Sequence, residues 1–112
     1  MKNRGQLIEL FISNLANSIV HQILEKAISE QIYIDRYDKE MKNSWQIAKN
    51  YRDKINPVNR ALPSEDVEEV GQKVINKVNA ELKLRISKGY QNINLGLVEK
   101  YVNKALKEMN VI

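Results

Sequence analysis

The chain has 112 residues, 43% of them apolar and 29% charged, with no cysteine and a net charge of +4. That length suits one domain with a single core, and the composition is that of a folded chain rather than a disordered one. The lack of cysteine excludes a disulfide framework and a thiolate metal site.

The first apolar segment predicts a helix over about residues 4–30. Ile8, Ile12, Leu15, Ile19 and Ile23 fall on a central stripe at about 100° per residue. Val20, Leu24 and Ile28 widen the stripe on one side, Leu7 and Phe11 on the other. A surface helix carries an apolar stripe of roughly 100°. This one covers about half its circumference, which predicts more than one packing neighbour, in this chain or in a second copy. No apolar run exceeds three residues (Leu10, Phe11 and Ile12), so no membrane span is expected. The basic start at Lys2 and Arg4 is followed by Glu9, Asn14 and Asn17, which interrupt any leader-like apolar region. A cytoplasmic location is the expectation.

Gln31, Ile32, Tyr33 and Ile34 have strand-like composition, but no other segment offers a pairing partner for their backbone. A turn is expected there. A second helix follows over about 34–55, with Tyr37, Met41, Trp45, Ala48 and Ile55 on its apolar face. Asp35 and Lys39, Asp38 and Lys42, and Lys49 and Asp53 lie four apart and support its exposed side. Pro57 and Pro63 stop it, which divides the chain into hairpins over about 4–55 and 64–110, joined by a turn over 56–63.

Ser64 is the expected N-cap of the third helix, and Glu65, Asp66, Glu68 and Glu69 crowd its positive end. Its apolar face is Val67, Val70, Val74, Val78, Leu82 and Ile86, and Gly89 marks its end. The fourth helix starts near Asn92 or Asn94 and shows a row at Leu95, Val98, Val102, Ala105 and Met109. The fold class is therefore all-α, four helices in two hairpins, as a helical bundle or a splayed, bifurcated arrangement of one domain over 1–112. The expected core is Ile8, Ile12, Leu15, Ile19, Ile23, Tyr37, Met41, Trp45, Val70, Val74, Val78, Leu82, Val98, Val102 and Met109.

Chemistry is sparse. His21, the single histidine, shares a face with Asn14, Asn17 and Glu25. His21 and Glu25 alone are two ligands short of a metal site, so the row is read as facing water or a neighbouring helix. Glu65, Asp66, Glu68 and Glu69 lack the alternating spacing of a calcium loop, and helix-start electrostatics account for them. Gly5, Gly71, Gly89 and Gly96 are scattered singly, and no nucleophile or phosphate-cradling motif occurs. Neither enzymatic activity nor a cofactor is expected. Between Lys73 and Lys107 eight basic residues face two acidic ones. Lys100, Lys104 and Lys107 share one side of the fourth helix, and Lys73 and Lys77 one side of the third. Were those sides to adjoin, they would form a patch for phosphates. The preferred expectation is a non-catalytic module that associates with itself, most simply as a dimer, or with another helical protein. The alternative is an accessory nucleic-acid binder contacting phosphates through Lys73, Lys77, Lys100, Lys104 and Lys107.

Overall fold

The computed structural model describes residues 3–28, 31–55 and 64–112. Its elements are α1 (Arg4–Ala27), α2 (Gln31–Ile55), α3 (Ser64–Ser87) and α4 (Val98–Glu108), with a 3₁₀ turn at Leu95–Leu97 leading into α4. The fold is all-α, and no strand occurs among the described residues.

α1 opens with a reciprocal cap. The Asn3 side chain accepts from the Gln6 amide at 2.8 Å, and the Asn3 amide donates to the Gln6 side chain at 3.0 Å. The helix ends at Ala27, before the expected Glu30, because Ile28 turns extended (φ −107°, ψ 139°). Helix resumes at Gln31, so the turn expected over 31–34 is corrected: the chain leaves helix earlier, and those residues belong to α2. Their strand-like composition is a weak preference that tertiary context overrides. The turn around Pro57 and Pro63 lies outside the described residues, and Ser64, the expected N-cap, is the first residue of α3.

α3 and α4 end alike. At Gly89 (φ 99°) the amide bonds to the Ile86 carbonyl, and Tyr90 reaches back to Arg85. At Asn110 (φ 60°) the amide bonds to Lys107, and Val111 to Leu106 at 2.8 Å. Both are Schellman ends, which satisfy carbonyls left over by the last turn. The second sinks Val111 into the core beside Leu106.

Ion pairs and hydrogen bonds fix the helix directions. Asn17 meets Ser44 and His21 meets Glu40, so α2 runs antiparallel to α1. Arg4 pairs with Asp66 at 2.6 Å and Glu9 with Lys73 at 3.1 Å, so α3 runs parallel to α1. α1 packs against α2, α3 and α4, and α3 packs against α4. This central placement explains the width of α1's apolar face. Phe11, Ile12, Leu15, Ile19, Val20, Ile23 and Leu24 are all fully buried, and Val70, Val74, Val78, Leu82, Val98 and Val102 meet them from α3 and α4. By length and mean hydropathy (1.3 over an 18-residue window) α1 is also apolar enough to cross a membrane, a property the shortness of its individual apolar runs conceals. In this fold the chain's own helices cover it.

The expected core needs four corrections. Ile8, Tyr37 and Trp45 are only partly buried and pack at its edge, and Met41 is partly buried too. α2 lies almost wholly against α1, so its apolar stripe has a single main neighbour. Ile86, on the expected apolar face of α3, is exposed, at 40%.

Candidate functional site

The side of α1 that faces α2 is polar. Asn17 Nδ2 donates to Ser44 Oγ at 2.6 Å, and Ser18 Oγ donates to the Met41 carbonyl at 3.0 Å. His21 Nδ1 lies 2.7 Å from the Asn17 carbonyl, and Nε2 lies 2.6 Å from Glu40 Oε2. The imidazole also tilts against Tyr37, with ring centroids 5.5 Å apart. His21 and Ser18 are buried, and each has its partner, as buried polar groups must. The His21 row therefore joins two helices. Among the described residues no three His, Asp or Glu side chains converge to hold a metal.

One turn further along α1, Glu25 differs. Its Oε1 is fully covered and meets no hydrogen-bond donor. Burial, and then the negative charge of Asp38, push its carboxyl above the ordinary value of 4.5, against the pull of Lys42, His21 and Lys26. Glu25 lies at a groove of about 570 Å³ built by three helices. α1 contributes Gln22, Glu25 and Lys26, α2 contributes Met41, Lys42, Trp45 and Gln46, and α4 contributes Tyr101, Lys104 and Glu108. Met41, Trp45 and Tyr101 are half-buried. They form an apolar floor that the described residues cover only in part, while Lys42 is tied to Asp38 at 2.8 Å. The chain's single tryptophan thus stands at a surface depression instead of in the core.

The five lysines expected to form one patch are divided. Lys100, Lys104 and Lys107 are exposed together on the outer side of α4, as their spacing predicts. Lys73 sits between Glu9 at 3.1 Å and Glu69 at 2.9 Å, carboxylates that hold its ammonium charged to higher pH than usual, Glu69 foremost. Lys77 lines a cleft with Ser13, Ala16 and Asn17 of α1. Glu9, Ser13 and Asn17 project from the flank of α1 opposite Gln22 and Lys26 by helical geometry, at about 100° per residue. Lys73 and Lys77 therefore stand on one side of the bundle and Lys104 on the other. The acidic cluster at the start of α3 is used in part as ion pairs, Asp66 with Arg4 and Glu69 with Lys73.

A second cleft, of about 420 Å³, is lined by Leu24, Ala27, Ile28, Tyr33, Tyr37, Tyr90, Gln91 and Asn92. Burial first, and then a hydrogen bond with Tyr90, raise the Tyr37 phenol above its ordinary value. Among the described residues its polar side chains are phenols and amides.

Sequence spacing marked Trp45, Met41 and Glu25 singly but not the groove, since Gln22, Trp45 and Tyr101 come from three separate helices. No family model, curated protein or solved structure matches this chain.

Proposed function

We propose that the chain is a non-catalytic helical module that works by protein contact, and that the groove between α1, α2 and α4 is its contact surface. One observation carries this reading: Trp45, with Met41 and Tyr101, forms the half-buried apolar floor of a groove between three helices. Tryptophan and tyrosine in a partly closed depression are the residue types on which interface energy concentrates. Self-association through α1 loses its motive, because the face that suggested it is covered by α2, α3 and α4. A second copy, where one binds, has the groove to dock on.

Selection of displayed peptides against the chain tests the reading. Peptides enriched on the wild type are expected to lose binding to Trp45→Ser and to Tyr101→Ser, with the helical circular dichroism of both variants intact. Enrichment of nothing, or of peptides indifferent to both replacements, sinks it.

A second reading has its own observation, the row of Lys100, Lys104 and Lys107 exposed on one side of α4. Such a row suits phosphates and would give binding that weakens steeply with salt. Gel shifts at two salt concentrations separate it from the first.

A further inference from the structure

Resting on the reading of the groove as a contact surface, we infer that its occupant is an acidic amphipathic peptide segment. Its apolar side chains lie on Trp45, Met41 and Tyr101, and its carboxylates meet Lys26 and Lys104.

The distribution of charge around the groove carries the inference. Lys26 on α1 and Lys104 on α4 are exposed at its rim. Among the described residues neither lies in a salt bridge, whereas Lys42 is held by Asp38 and Lys73 by Glu9 and Glu69. Lys100 and Lys107 extend the positive row along α4. The two carboxylates at the groove oppose this only weakly. Glu25 is sunk into the floor with one oxygen wholly covered, so a ligand that closes the groove favours its uncharged form. Glu108 is exposed on α4, where solvent and salt screen its charge. An acidic segment meets free cations here, and a basic one meets the same cations in repulsion. Met41 and Trp45 lie four apart on α2 and present a ridge onto which an amphipathic segment packs in the helix-in-groove manner.

Trp45 is the only tryptophan, so its emission reports occupancy directly. The probes are a synthetic peptide with Leu at i, i+3, i+4 and i+7 and Glu elsewhere, its counterpart with Lys for Glu, and oligothymidylate. The Glu peptide is expected to move Trp45 emission to shorter wavelength saturably, and to bind less tightly as salt rises. Lys26→Glu with Lys104→Glu is expected to weaken that binding by about tenfold or more, and Lys26→Gln with Lys104→Gln by less. Equal binding of the Lys peptide, or oligothymidylate as the only probe that binds, overturns the acidic-segment inference and leaves the groove standing as a contact surface. If no probe moves Trp45 emission, the contact-surface reading itself falls.

Discussion

His21 on α1 and Glu40 on α2 meet at 2.6 Å, while the other ring nitrogen of His21 faces the Asn17 carbonyl at 2.7 Å. The His21 side chain is buried and that of Glu40 is 50% exposed, so the two ends of this contact differ in what they hold together. His21→Ala removes packing against Tyr37 as well as the polar contacts and is expected to cost about 1–3 kcal/mol. Glu40→Gln is expected to cost less than about 1 kcal/mol, as exposed pairs do. Urea midpoints of the two variants check the ordering.

Ile19 is fully buried in the helix that touches the other three. Ile19→Asp puts a carboxylate where no partner can reach it, a cost that exceeds the whole stability of most small domains. Loss of a cooperative thermal transition is the expected result. A folded variant with a normal transition would refute the central placement of α1.

Two glycine replacements are expected to act in opposite directions. Gly71 lies within α3, and a methyl group there would sit 3.6 Å from Leu106, an ordinary contact. Gly71→Ala should therefore stabilise by about 0.5–1 kcal/mol. Gly89 has open space around it but a φ of 99°, so Gly89→Ala should destabilise by about 1 kcal/mol or more through backbone strain alone. Thermal melts of both, in one buffer, decide the signs.

Glu25 gives a pH signature. Burial, followed by Asp38, raises its carboxyl pKa in the folded chain above the ordinary 4.5. Between the unfolded and folded values the native state binds more protons than the unfolded state, so this group's contribution falls as pH rises through that window. At neutral pH its charge is a burden on the fold. Glu25→Gln is expected to be more stable than the wild type at pH 7, with the advantage shrinking as pH falls through the folded value and gone below about 4.5. Denaturation curves across that range test it, and a pH-independent difference contradicts the account.

The helices were legible because their apolar spacing is regular, although the boundary between α1 and α2, which no glycine or proline marks, was not. Ile12, Leu15, Ile19 and Ile23 were correctly placed inside by period alone, and Gly89 did end α3. The number of neighbours around each helix was not legible. Phe11, Val20 and Leu24 looked like flanks and are fully enclosed, while Tyr37, Met41 and Trp45 looked central and lie at the edge. Periodicity gives a direction on one helix and does not say how many helices stand in that direction. The same limit hid the site. Lys73 and Lys77 read as neighbours of Lys104 until α1 was found to stand between them, and the Glu9 that engages Lys73 is 64 residues away.

Because α1 is the element against which the others dock, the chain is made in an awkward order. Its most oily segment is made before the helices that enclose it, and α4, which closes part of it, begins only at Val98. Until α3 is made, Phe11, Leu15 and their neighbours have only α2 of this chain to lie against, and a nascent or nicked chain lacking α3 and α4 would clump or call on a chaperone.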